Sequence, residues 1–320
     1  MSHQGNDSVL AWNLSFEFFK GRRFKENLGN MVLQILINGV LTSGIYALLA
    51  IGFSLIFGVA RIVNLAHTAL YMLAAYYIFL FGHLLGLNIL LSVALAIFLT
   101  TFIGMVIYKF CIDPILEHET SIVIVTVSVA IAIQEILLCF FTGDFLSPLP
   151  FVSGYVEFLG VRISAQHVLT LVVIFFLLLG MLFLLFRSKL GVSIRVTAQD
   201  REIANLMGIN VGRICLITMG MSVLLAAIGG VMIAPISILE PHLWGEPLVI
   251  VIAVVVLGGL GSIKGSVIGA FILGFTETLV VFILPGGSFL KGAIALLIVV
   301  FILWFRPEGL FGVVFEEERL

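Results

Sequence analysis

Apolar residues in this chain come in long runs, not in alternation. Peaks stand at about 31–58, 63–82, 87–108, 121–142, 167–186, 214–235, 247–260, 266–284 and 290–305, the seventh of them short. A spanning helix needs about 20 predominantly apolar residues. In lipid, every backbone polar group must be satisfied within the segment, which makes helices the natural solution for such runs. The alternating pattern of a membrane barrel is absent. The runs predict an all-α, polytopic transmembrane bundle of about 8–9 spans. Residues 1–30 form an N-terminal tail, 31–306 the membrane domain with a polar loop at 187–213, and 307–320 a C-terminal tail.

Composition agrees with that pattern. The 320 residues are 61% hydrophobic and 11% charged, with a mean hydropathy of +1.25, whereas soluble domains carry roughly 25% charged residues. A soluble fold could not bury so much apolar surface, so the lipid bilayer is the solvent. A net charge of −2 argues against nucleic acid as a partner. Cys111, Cys139 and Cys215 lie far apart in or beside apolar runs and are expected to be packed, unreactive thiols. The tail is too polar for a signal peptide, and its basic residues follow its aromatic ones.

Lys and Arg near span ends set orientation. The 187–213 loop carries Arg187, Lys189, Arg195, Arg201 and Arg213, while 236–246 carries only Glu240 and Glu246. The basic loop is therefore expected in the cytoplasm, with Lys109, Lys264 and the C-terminal tail on the same side and 143–166 outside. Nine crossings would then leave the N-terminus outside, against the preference of Lys20, Arg22, Arg23 and Lys25. Two resolutions exist. The tail is an exception, with Trp12, Phe16, Phe18 and Phe19 on the outer interface. Alternatively, 31–82 holds a broken helix that turns inside the bilayer near residues 58–64, making the crossings even in number. Broken helices at membrane depth are tolerated where they are buried in protein or line a cavity, and the second resolution is the favoured one.

Asn64, His67, Thr68 and Tyr71 then fall on one helical stripe, and Gln34, Asn38, Thr42 and Tyr46 make another. Two polar stripes on apolar helices suggest a wet pathway, with Asn38, Thr42, Tyr46, Asn64, His67 and Tyr71 as its candidate residues. The plainer reading of any one of them is interhelical hydrogen bonding. Arg61 needs a partner or a place near the head groups, since a charge at bilayer centre costs about 2.5–3.5 kcal/mol on insertion scales.

In the polar loop, Thr197 followed by Asp200 has capping spacing, Ile203, Leu206 and Met207 form an apolar edge, and Gly208 is placed to end the helix. The expected product is about ten residues of exposed amphipathic helix. Such a helix is marginal in water alone, so its edge must rest on the membrane surface, on the underside of the bundle, or in a groove on a partner. Gly261, Gly265 and Gly269 recur every four residues, a helix-packing pattern. The nearby Lys264 precedes its glycine, so this is no phosphate loop. Glu135 and Glu277 each stand alone within a span and are expected to cap or bridge helices. The sequence carries no metal-ligand pairing of its histidines and no nucleophile motif, and no cofactor is expected.

Several segments together resemble the permease subunits of branched-chain amino acid ABC transporters, the Liv type and its LivH-like branch. They are NGVLTSGIYALLAIGFSLIFGVARIVNLAH with LYMLAAY at 38–77, LGVSIRVTAQDREIANLMGINVGR at 190–213, AAIGGVMIAP at 226–235, VLGGLGSIKGSVIGA at 256–270 and FRPEGLFG at 305–312. The resemblance implies a non-enzymatic permease in a bacterial or archaeal inner membrane. Its implied partners are two cytoplasmic ATP-binding subunits, a second similar permease and an external substrate-binding protein. It also implies a coupling helix at 195–208, with Arg195, Asp200, Arg201, Glu202, Leu206, Met207 and Gly208 meeting the ATPase. The solute would be a branched-chain or related amino acid; permeases of this type also carry urea, amides and other small solutes. An ion-coupled carrier working alone is the alternative from another class. The chain departs from the family at Thr68 and Ala69, where a glycine, often followed by glutamate, is usual.

Overall fold

The computed structural model describes residues 4–158, 160–284 and 286–311, with side chains from Gly29 onward except Phe158. The helices are α1 (Gln4–Ala60), α2 (His67–Ile78, continued by a π-helical turn Phe79–Leu84), α3 (Ile89–Ile107, continued by Tyr108–Ile112 and Asp113–Ile115), α4 (Glu119–Phe141) and α5 (Ala165–Arg187). After them come α6 (Lys189–Gln199), α7 (Arg201–Leu206), α8 (Val211–Ile233), α9 (Gly245–Gly258), α10 (Ile263–Ile283) and α11 (Gly287–Phe305). A small antiparallel hairpin, β1 (Tyr155–Phe158) and β2 (Val161–Ser164), precedes α5. Among the described residues, seven helices are long and apolar enough to cross a membrane. α2 with its π turn and the 14-residue α9 are shorter apolar helices packed among them.

The two ends of the bundle are defined by contacts. At one of them, Leu310 and Phe311 bond the backbone of Leu257 and Gly258, Lys264 lies over the Phe186 ring, and Arg201 reaches the carbonyl of Val59. At the other, Leu146 bridges Leu239, the Trp244 indole donates to Gln134, and Lys291 pairs with Glu246. The first end, called here the loop end, carries α6 and α7; the second, the hairpin end, carries β1 and β2.

Asn30 lies at the hairpin end, where its side-chain oxygen would sit 3.9 Å from a Cβ on Gly160. From Gly29 to Ala60 the helix has 32 residues, about 48 Å at 1.5 Å per residue, enough to run the full length of the bundle. The break expected near 58–64 is present: α1 ends at Ala60, at the loop end, and α2 starts at His67. The tail's aromatic and basic side chains, Trp12 to Lys25, lie outside the described side chains, as do residues 312–320.

Close packing by small residues holds α1 against α10 in antiparallel register. A methyl on Gly39 would meet the Phe275 ring at 2.6 Å, and one on Gly274 would meet Ser43 Oγ at 2.5 Å. Lower down, the hydroxyls of Ser54 and Ser266 bond each other, and Gly58 approaches Gly261. Lipid tails are as apolar as leucine, so such intimate contact and interhelical hydrogen bonds drive association here. Gly265 and Gly269 serve the α9–α10 contact: a Cβ at Gly265 would collide with the Gly258 carbonyl, and one at Gly269 would lie 2.7 Å from the Val254 carbonyl oxygen. Gly261 is off that helical face. It sits in the turn before α10 with φ +79°, a conformation that favours glycine. Of the cysteines only Cys215 is packed; Cys111 and Cys139 face outward from the bundle.

Candidate functional site

The interruption between α1 and α2 is built by residues 61–66. Arg61 takes φ +51° just after α1 ends, and the chain then re-enters the bundle as irregular backbone with Ile62, Asn64 and Ala66 buried. Asn64 makes this possible: its Oδ1 accepts the Ala66 amide at 3.1 Å, and its Nδ2 lies 3.7 Å from Met219 Sδ on α8. His67, fully buried, opens α2 between two helices. Its Nε2 lies 3.1 Å from the Leu49 carbonyl oxygen, and the Ser222 hydroxyl lies 3.3 Å from its Nδ1. Leu49 stands eleven residues before Ala60, about 16 Å up the helix, so α2 begins well inside the bundle. Non-helical backbone at such depth persists because it is enclosed by protein. Gly52 leaves room for it, since a Cβ there would come within 2.9 Å of both the His67 ring and the Ser222 carbonyl. Thr68, at the position of departure from the Liv-type pattern, is buried with its hydroxyl unpartnered among the described residues.

One turn above His67, Tyr71 reaches a cavity of about 380 Å³ that opens toward the hairpin end. Asn38, Thr42 and Tyr46 of α1 line it, as do Glu277 and Thr278 of α10, and Glu246 and Lys291 stand at its rim. The structure thus gathers Asn38, Thr42, Tyr46 and Tyr71 in one place and sets Asn64 and His67 below, bonded within the bundle. Its polar centre is the Tyr46 hydroxyl, which donates to Glu277 Oε2 at 2.6 Å. Glu277 is only 3% exposed, and its Oε1 has no hydrogen-bond partner among the described residues. It bridges helices as expected, but through one oxygen only. Glu135 is exposed on α4 and accepts from the neighbouring Gln134.

At the loop end two further cavities, of about 740 and 430 Å³, flank Arg61. Between them and the upper cavity lies the packed layer of α1, α2 and α8 around Phe53 and His67, whose rings meet edge to face at 6.1 Å.

The polar loop folds as two helices where the spacing predicts one. Ser188 caps α6 by accepting the Gly191 amide, and Thr197 is buried in the last turn of α6, bonded to the Ser193 carbonyl. Thr197 therefore starts no helix. Asp200 is itself the N-cap of α7, accepting the amides of Glu202 and Ile203 at 2.8 and 2.9 Å. Gly208, at φ +81°, follows the end of α7. Arg201 turns inward and clamps the Val59 carbonyl oxygen with Nε at 3.0 Å and Nη2 at 2.8 Å. Arg195 stacks on Phe186, 5.3 Å from the ring centroid. By contrast, Leu206 and Met207 are 87% and 69% exposed.

Sequence reasoning did not place Glu277, Glu246 and Lys291 at the cavity. Glu277 stood out only as a lone intramembrane acid; its pairing with Tyr46 spans 231 positions and follows from the α1–α10 register.

Residues 35–303 match the family described as the branched-chain amino acid transport system / permease component. The chain is 29% identical to the high-affinity branched-chain amino acid transport system permease protein BraD of Pseudomonas aeruginosa, over 88% of this chain and 95% of that one. It is 26% identical to the corresponding permease protein LivH of Escherichia coli over the same shares. With the probable LivH of Methanocaldococcus jannaschii it shares 25% identity over 88% of this chain and 92% of that protein.

Proposed function

Since the chain belongs to the branched-chain amino acid transport system permease family, we propose that it is the inner-membrane permease subunit of an ATP-driven importer for branched-chain or related amino acids. In this reading it works with two ATP-binding subunits, a second similar permease and an external binding protein. The observation that carries the coupling part is the bare apolar tip of α7: Leu206 and Met207 project from the loop end, and large apolar side chains so placed suit a groove on a partner. Among the described side chains, Arg61, Lys109, Arg187, Lys189, Arg195, Arg201, Arg213, Lys264 and Arg306 gather toward that end, against Arg162 and Lys291 at the other, with Lys20, Arg22, Arg23, Lys25 and Arg319 outside the described side chains. That asymmetry favours a cytoplasmic loop end, an external hairpin end and a cytoplasmic C-terminus.

The contacts support the following mechanism. Solute released at the hairpin end enters the cavity beneath Asn38 and Thr42. Closure of the ATPase pair pushes α6 and α7, and Arg201 hands that displacement to the last turn of α1 through the Val59 carbonyl. Tyr46 lies thirteen residues up the same helix, about 20 Å away, so a rigid tilt of α1 with α10 closes one cavity while opening the other, as rigid-body switches do. The test is co-purification: the protein, gently solubilised from its native membrane, should carry an ATPase, and its uptake should cease on ATP depletion. Uptake that survives depletion, with no ATPase bound, would sink the proposal in favour of a carrier working alone.

A further inference from the structure

We propose that Glu277 is the receptor for the ammonium group of the transported amino acid, with Tyr46 as the residue that positions its carboxylate; the proposal rests on the importer reading above. The geometry is specific. One carboxylate oxygen is held by the Tyr46 hydroxyl at 2.6 Å. The other is buried and has no donor from the described residues, on a residue that lines the cavity and is only 3% exposed. A buried acceptor left open in this way asks for a donor from outside the chain. Charge selects the donor. Lys291, the one cationic side chain among the described residues lining the cavity, lies 2.5 Å from Glu246, so the Glu277 carboxyl has no ion pair of its own among the described residues. A cation offering several N–H donors, such as a primary ammonium, completes it better than a neutral amide. The rest of the lining suits the remainder of such a solute. Ile45, Ile233, Val281 and Phe282 form an apolar wall for an aliphatic side chain, and Asn38 and Thr42 offer polar groups near the mouth. A volume of about 380 Å³ lies in the range of small-molecule sites.

The test uses the intact permease–ATPase assembly in lipid nanodiscs and three probes of one skeleton: L-leucine, isoamylamine (the amine alone) and 4-methylpentanoate (the carboxylate alone). Leucine and isoamylamine at millimolar concentration should raise the Tm of the permease by about 2 °C or more, the stabilisation expected of a ligand well above its Kd. 4-Methylpentanoate should leave Tm unchanged. Glu277→Gln, which keeps the shape and can still bond Tyr46, should abolish both shifts, and Tyr46→Phe should reduce them. Equal protection by 4-methylpentanoate, no shift with any probe, or full protection in Glu277→Gln would overturn the assignment. The three-probe comparison on the unsubstituted protein decides the matter even where a variant fails to assemble. ATP-dependent leucine uptake by the same assembly separates the failures: uptake without an amine-dependent shift removes the subsite alone, and absence of uptake removes the importer reading with it.

Discussion

The two ends of this bundle are built on opposite plans. At the hairpin end the polar groups turn inward: Tyr46, Tyr71 and Glu277 line a cavity, and Glu277 keeps one oxygen unsatisfied. At the loop end Asp200 caps α7 and Arg201 clamps Val59, and two large apolar side chains, Leu206 and Met207, project among exposed charges such as Lys189, Arg195 and Glu202. An end that binds a small polar solute needs unfilled hydrogen-bonding capacity inside, while an end that binds a protein needs apolar area outside. One helix joins them, and it packs closely on α10 through Gly39, Ser43 and Ser54.

The loop end offers the largest test of that contrast. Replacing Leu206 and Met207 together by Glu should remove about 3 kcal/mol or more of partner-side burial, at roughly 1.5–3 kcal/mol per large apolar side chain, hence about 100-fold or more in ATPase affinity. Pull-down from solubilised membranes would read it, and insertion of the permease should be unaffected. Gly265→Leu tests the helix packing instead. It drives a side chain into the Gly258 carbonyl and should cost about 1–3 kcal/mol or more, seen as lost folded protein by size exclusion. Arg201→Gln should weaken the clamp by about 1.5–3 kcal/mol, leaving ATPase association intact while uptake falls several-fold against ATP hydrolysed. Ser222→Ala, which removes one partner of His67 beneath the cavity, should cost only about 1 kcal/mol of stability and leave solute selectivity unchanged. A selectivity change there would move His67 from packing into the pathway.

Much of this was legible in the chain, and the gaps have physical causes. Runs of apolar residues are local, so the spans were readable. The every-fourth-residue spacing of Asn38, Thr42 and Tyr46 marked the face of α1 that meets the cavity, and Tyr71 marked that of α2. Glu277 could not be joined to Tyr46, because register between helices 231 positions apart is set by packing. The break near 58–64 was legible, but its depth was not. Irregular backbone at 61–66 carries the chain back into the bundle, so a break that begins at the loop end still buries Asn64 and His67. Thr197 and Asp200 misled for a local reason. Both have capping side chains, and only the buried last turn of α6 decides that Asp200 takes the role.

The central claim is that solute enters at the hairpin end and work is done at the loop end. Its most direct measurement is leucine uptake by proteoliposomes that hold the full assembly in known orientation, with ATP supplied to one face at a time. The account predicts uptake only when ATP is on the face that carries Arg201 and the loaded binding protein is on the face that carries Glu246. Uptake with the two exchanged, or with no ATP on either face, would contradict it.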